Sequence, residues 1–248
     1  MRIDDVHTVT VRVYGDLVFF APEAGRGVDV PFGAPRSVKD LLESLGIPHP
    51  EIGLILVEDE PVAFTRSVTA GDRVAAYPPF TSLDVDSPLP QPPPNPRFVL
   101  DVHLGTLARR LRLLGLDCDY ATDRDDAELA RIASTQRRVL LSRDRELLMR
   151  SEVTHGYCPR SDDPDQQMLE VARRFLSAED LAPLTRCARC NGILVPVAKA
   201  DVSDEIGSHT RTSQEAFMRC SGCRQVYWPG SHTADLQGMI DTVRAACA

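Results

Sequence analysis

Two Cys-x-x-Cys pairs, Cys187 with Cys190 and Cys220 with Cys223, stand 29 residues apart in this 248-residue chain. Four thiolates at that spacing suit a tetrahedral Zn²⁺ held by two knuckles, and a site filled by four protein ligands leaves no position for substrate. The expected ion is structural, stabilising a small unit with little core of its own; a redox dithiol or an iron–sulfur centre is the competing chemistry. A second set of residues is acidic. Asp101 ends the apolar run Phe98-Val99-Leu100, Asp144 follows Val139-Leu140-Leu141-Ser142-Arg143, and Asp126 lies in the cluster Asp123-Arg124-Asp125-Asp126 between them. Carboxylates gathered at strand ends suit Mg²⁺ or Mn²⁺, hard ions that keep several waters, and phosphodiester cleavage needs what such ions supply.

Each acid also has a simpler reading. Asp101 and Asp144 each precede a helical pattern and would serve as caps, Asp125 with Glu128 forms a capping-box pair, and Asp162, after a short fourth strand, stands alone. Taken together they are a stronger signal, because unpaired carboxylates crowded on one edge repel and are costly without a cation. Ser142 either reaches a phosphate or caps the helix after it. Arg109, Arg110, Arg112 and Arg143 flank the acids in sequence, where RNA backbone contact competes with a solvated helix face.

The elements that must position these groups alternate. After Arg97 come the buried strand 98–100, a helix with Leu104, Leu107, Ala108, Leu111 and Leu114 on one face, and Gly115 as its stop signal. Leu116, Cys118 and Tyr120 alternate as a second strand, 139–141 is a third, and Asp163-Pro164 caps a helix that buries Met168, Leu169, Ala172 and Phe175. Strand–helix alternation implies a parallel sheet with helices on both faces, whose strand ends share one ligand-binding edge. Cys118 and Cys158 fall in strands and are expected to be buried and unliganded. His103 and His232 are expected to be structural, and Tyr227-Trp228 to pack the zinc unit more readily than to stack on a base.

Composition sets the surroundings. The formal net charge of −8 argues against a purely electrostatic nucleic-acid binder. The imbalance is nevertheless uneven: residues 1–96 carry 7 Lys and Arg against 14 Asp and Glu, and the remainder 21 against 22. No apolar run reaches the roughly 20 residues of a membrane helix, and Met1-Arg2-Ile3-Asp4-Asp5 is too acidic for a signal peptide. A cytoplasmic protein without membrane attachment is expected.

The first part differs in pattern. Val9, Val11 and Val13 alternate with polar residues, Val28–Val30 pairs back, and Ser37 with Asp40 opens a helix that ends at Gly46. Strands at Leu54–Val57 and Arg73–Tyr77 complete a ββαββ order. This order resembles the β-grasp, ubiquitin-like sulfur carriers, whose chemistry resides in a C-terminal Gly-Gly tail. Here Tyr77-Pro78-Pro79-Phe80 stands in that place, so the domain is expected to bind or position something, a protein partner included. Residues 81–96 hold six prolines and should form a stiff extended linker. The expected domains are 1–80 β-grasp, 81–96 linker, 97–180 nuclease and 181–248 zinc ribbon.

The runs Phe98–Asp101, Leu107–Gly115, Asp126–Leu129 and Leu140–Leu147, continuing through the cysteines to Tyr227-Trp228-Pro229-Gly230-Ser231-His232, resemble the PIN-like RNase family named after the C-terminal region of the Mut-seven exonuclease. The resemblance implies an α/β, PIN-like fold and metal-dependent RNA cleavage. It places the family acids on Asp101, Asp126 and Asp144, with Asp162 or Asp163 as a fourth; PIN enzymes often carry Glu at the second position. The implied reaction is in-line hydrolysis leaving a 5′-phosphate and a 3′-hydroxyl. The substrate class, whether tRNA, rRNA or ribosome-bound RNA, is left open. The alternatives are an RNA- or ribosome-binding adaptor that keeps the fold without catalysis, and a metal phosphatase acting on small nucleotides.

Overall fold

The computed structural model describes residues 7–80, 83, 85–228 and 233–247. Met1–Asp5, part of the 81–96 linker and Pro229–His232 lie outside them. The described elements run β1 (His7–Val13), β2 (Val28–Phe32), α1 (Val38–Glu43), β3 (Leu54–Val57), β4 (Glu60–Pro61), β5 (Arg73–Tyr77), β6 (Phe98–Leu100), α2 (Gly105–Leu113), β7 (Cys118–Tyr120) and α3 (Asp126–Thr135). They continue as β8 (Val139–Leu141), α4 (Arg145–Leu148), β9 (Gly156–Tyr157), α5 (Pro164–Phe175), β10 (Leu194–Val197), α6 (Ser208–Ser213), β11 (Phe217–Cys220), β12 (Val226–Tyr227) and α7 (Thr233–Ala246). Two compact units result, one from residues 1–93 and 126–158, the other from 94–125 and 159–248.

In the first unit β1 to β5 make a mixed sheet in the order β2-β1-β5-β3-β4, with β1 parallel to β5 and antiparallel to β2. The alternation along β1 buries Val9, Val11 and Val13, and α1 buries Leu41 and Leu42, in a β-grasp order. Helix α1 starts where the sequence placed it. Ser37 Oγ accepts the Asp40 N–H (3.1 Å), and Asp40 accepts from the Ser37 N–H (3.3 Å), a complete capping box. The hydrogen bond from the Ser37 hydroxyl holds the Asp40 carboxyl below its ordinary range.

Past β5 the chain is tied down. A Cβ on Gly53 would lie 2.3 Å from Pro79 Cα, so the proline chain packs directly on that glycine, and the Gly53 N–H donates to Tyr77 O (2.9 Å). The proline-rich stretch is not a bare spacer: Ser87 Oγ donates to Gly53 O (2.8 Å) and Leu89 is buried. One apolar residue among prolines gains more from that contact than from water.

The same unit contains β8 and β9, a parallel pair with Leu140 opposite Gly156 and Leu141 opposite Tyr157. All of β8 is buried, as expected for a parallel strand covered on both faces. Leu129, Ala130, Ile132 and Ala133 form the packing face of α3.

In the second unit β6 and β7 are parallel, Phe98 opposite Cys118 and Leu100 opposite Tyr120. Leu107, Ala108 and Leu111 of α2 are fully buried, each leucine contributing about 2 kcal/mol. The helix stops in a Schellman motif: Leu116 N–H donates to Leu111 O (3.1 Å) and Gly115 N–H to Arg112 O (3.0 Å), with Gly115 at φ +93°. Helix α5 is capped by Asp163 with Pro164 behind it, and α7 packs on α5. Neither α6 nor α7 was legible in the sequence, since a short polar helix and one with few large apolar residues give weak periodicity. Strands β10, β11 and β12 form an antiparallel sheet in that order. Val202, Ile206, Phe217 and Val226 make a small core beside it. Among the described residues no helix is long and apolar enough to cross a membrane.

Gly115 combines a left-handed backbone with a Cβ position 2.0 Å from Ala182 O. Gly115→Ala is expected to destabilise the protein by about 2–3 kcal/mol, read from the shift of a chemical denaturation midpoint at unchanged slope.

Candidate functional site

The cysteines come together. Among the described residues, Cys187, Cys190, Cys220 and Cys223 are the group whose ligand atoms lie close enough to hold an ion, all within 4.8 Å of one another. Cys187 Sγ is 3.6 Å from Cys223 Sγ, and Cys190 Sγ is 3.4 Å from Cys220 Sγ. Four sulfurs bound at about 2.3 Å around a tetrahedral Zn²⁺ stand about 3.8 Å apart, so the donor set and its spacing fit that ion.

Two equivalent knuckles build the cluster. The Cys187 N–H donates to Gly192 O (2.7 Å) and the Cys220 N–H to Gln225 O (3.0 Å), so each loop closes over the same number of residues. Asn191 and Arg224, each following the second cysteine of its pair, take φ of +68° and +66°. Gly192 is required for a different reason: a Cβ there would lie 2.8 Å from Cys220 Sγ.

Hydrogen bonding tunes the sulfurs. Burial works against the charged form of Cys190, but bonds from the Gly192 backbone and the neighbouring sulfurs outweigh it and bring the thiol down to about 6. At Cys223 burial prevails and pushes the thiol up to about 12. The Tyr227 hydroxyl lies 3.1 Å from Cys187 Sγ, placed to donate to a thiolate. Burial, then the adjoining Cys187, hold that phenol above its usual range. Tyr227 thus packs the cysteine site, as expected, while Trp228 is 39% exposed with its ring beside Phe217.

The first knuckle is fastened to β7. Cys118 uses both backbone groups on side chains: its N–H donates to Asn191 Oδ1 (3.1 Å) and its carbonyl accepts from Arg112 Nε (2.9 Å). Arg112 Nη1 also donates to Ala188 O (3.3 Å) and Arg189 O (3.0 Å), and Asn191 Nδ2 donates to Asp117 Oδ1 (2.8 Å). Arg112 therefore leaves the expected RNA-contact set. It is buried because three carbonyls, at the end of β7 and in the knuckle, receive its guanidinium. Helical spacing alone did not reveal this, since those partners are remote in sequence.

The acids occupy strand and helix ends. Asp101 directly follows β6, is buried, and sits at the N-cap position of the 3-10 turn Val102–Leu104, yet its side chain makes no capping bond to that turn. Tyr120 Oη donates to Val102 O (2.9 Å), bracing the same turn. Asp126 is exposed as the first residue of α3. Asp144 is exposed and caps α4, its Oδ1 accepting from Glu146 N–H (2.8 Å) and Leu147 N–H (3.2 Å). Asp162 is exposed beside Asp163, which repeats the Asp144 pattern by accepting from Asp165 N–H (2.7 Å) and Gln166 N–H (3.4 Å). In both cases the serine two residues earlier, Ser142 or Ser161, accepts the N–H of the capping aspartate (2.9 and 3.0 Å). Ser142 is wholly buried in that role and so also leaves the ligand-contact set. Of the remaining arginines, Arg109 and Arg143 are exposed, and Arg110 is held by Asp165 (Nε to Oδ1, 2.7 Å). Cys118 and Cys158 are buried, as expected.

The chain thus combines parallel strands followed by carboxylates with a four-cysteine cluster whose spacing fits zinc. The model of the Mut7-C RNAse domain matches residues 96–240, and that of the Mut7-C ubiquitin domain matches 6–84. The chain belongs to the Mut7-C RNAse domain family, with a ubiquitin-like domain in front. Among solved structures it is similar to SAMP1 from Haloferax volcanii at 22% identity, over 30% of this chain and 98% of that one, with a TM-score of 0.26. A second structure of the H. volcanii small archaeal modifier protein 1 matches at 25% identity, over 30% and 99%, with a TM-score of 0.25. No curated protein matches.

Metal analysis of purified protein is expected to find about one zinc per chain, lost in Cys220→Ser. Arg112→Ala should weaken zinc binding about tenfold or more in a chelator competition, the usual effect of removing a group that orients the ligand loops.

Proposed function

We propose that this protein is a ribonuclease that hydrolyses RNA phosphodiester bonds with a Mg²⁺ or Mn²⁺ ion held by Asp101, Asp126 and Asp144, with Asp162 or its neighbour Asp163 as a fourth carboxylate. The observation that carries this reading is the family membership across residues 96–240. Asp101 fits that reading by its place, buried directly after β6 at the start of the 3-10 turn Val102–Leu104. All-oxygen donors of this kind fit a hard divalent ion. When bound, such an ion ionises a water and neutralises charge on the phosphoryl group.

The protein's own residues hold the acids in place. Asp144 Oδ1 is fixed by two N–H groups of α4, which leaves Oδ2 as the oxygen for a ligand. Ser142 fixes the Asp144 backbone from beneath. Exposed Arg109 and Arg143 contact the RNA backbone, where a guanidinium pairs with phosphate without reading sequence. The closed cysteine site keeps its knuckles rigid and takes no part in the reaction.

Wild-type protein with Mn²⁺ is expected to cut single-stranded or structured RNA, and EDTA to stop it. The double variant Asp101→Asn, Asp144→Asn should lower kcat/KM by about 100-fold or more. RNA bound equally with and without EDTA and left intact by the wild type would reject catalysis in favour of a binding adaptor.

A further inference from the structure

A ubiquitin-like domain that served as a detachable carrier or a tethered recognition module would keep its polar side chains in water. Three of those in this domain are buried: Asp72, which accepts the Thr69 N–H (2.8 Å) within the domain, and two whose partners lie far along the chain. Glu51, in the 3-10 turn His49–Glu51, is fully buried, and its Oε1 accepts the Cys158 N–H at 2.7 Å, just beyond β9. His49 is also buried; its Nε2 donates to Val153 O (2.7 Å) and its Nδ1 meets Glu43 Oε1 (2.7 Å), with the Phe64 ring edge-on at 5.7 Å. Between them in sequence, Pro50 packs where a side chain on Gly156 would project, its Cβ 3.4 Å from that position. At the other end of the segment the Arg145 guanidinium lies over Phe19 and Phe20, 5.4 and 5.0 Å from the ring centroids.

These contacts fall at the start of α4, at Val153, and at the end of β9. The residue just before Arg145 is Asp144, whose carboxylate caps α4. A carboxylate removed from water must be received by donors, and the Cys158 N–H at the end of β9 is one that receives Glu51. The opposite route, a free tail, is closed, because Pro79 is packed on Gly53.

We infer that the ubiquitin-like domain is a fixed clamp on the β8–α4–β9 segment, and that Glu51 is a positioning residue for Asp144. The inference rests on the ribonuclease reading for its functional part. The domain acts through geometry: it sets where α4 begins and hence where the Asp144 carboxylate stands. A displacement of about 1 Å at such a group is enough to cost catalysis severely while leaving substrate affinity alone.

The test uses the full chain as wild type, Glu51→Ala, Glu51→Gln, Phe19→Ala and the exposed-site control Glu60→Gln. In Glu51→Ala, kcat is expected to fall about tenfold or more with KM within about twofold, and the Glu146 and Leu147 amides to exchange hydrogen about tenfold faster, while amides of α2 keep their rates. Glu51→Gln, which can still accept the Cys158 N–H, should restore kcat to near wild type, and Glu60→Gln should match it. Should Glu51→Ala not fold, Phe19→Ala, which loosens the Arg145 contact, must show the same selective exchange at α4. Unchanged kcat and unchanged exchange in Glu51→Ala and Phe19→Ala would overturn the clamp. If the wild type cuts no RNA, the ribonuclease reading fails by itself, and the exchange rates alone decide the positioning claim.

Discussion

Strands of two or three residues leave backbone polar groups beyond the reach of a ladder, and a buried N–H or carbonyl without a partner costs free energy comparable to a lost hydrogen bond. The strands β6 to β9 are all this short. Side chains from elsewhere complete them. Cys118 is closed off by Asn191 and Arg112, Cys158 by Glu51, and the Arg160 and Ser161 N–H groups by the Glu170 carboxylate (2.7 and 3.0 Å). The molecule depends on these few charged and amide side chains at its strand ends.

The same device ties the accessory parts to the nuclease fold. Asn191 and Arg112 tie the cysteine knuckle to β7, so an ion held by the cysteines would also fix the edge of that strand. Structural metal sites contribute folding free energy outright, and a metal bound here would transmit it through those two side chains. Glu51 and His49 do the corresponding work for the N-terminal domain. In this ubiquitin-like domain the chain just past β5 is packed down, with Pro79 against Gly53.

Capping aspartates add a further economy of design. Asp144 and Asp163 each hold a helix N-terminus with one oxygen while the preceding Ser-x-Asp turn fixes their backbone. A carboxylate so held loses little further freedom when it meets an ion, and a helix N-terminus tolerates its negative charge. The helix-cap reading and the metal-ligand reading of Asp144 are therefore compatible, since the two capping bonds go to Oδ1.

Much was fixed by local sequence. Strand alternation at Val9–Val13, the Ser37–Asp40 capping box, Gly115 as helix stop, Asp163-Pro164 as helix start and the two Cys-x-x-Cys pairs all depend on neighbours within a few residues, and each stands where the pattern put it. Tertiary structure alone decided the rest. Arg112 looked like an exposed helical arginine until carbonyls more than 70 residues away received it, and Glu51 and His49 gave no signal, because their partners lie roughly 100 residues further on. The α6 and α7 helices went unread because their stability comes from packing and not from a marked apolar period. Propensity and periodicity report on neighbours along the chain; burial of a charged group is set by whatever the fold brings to it.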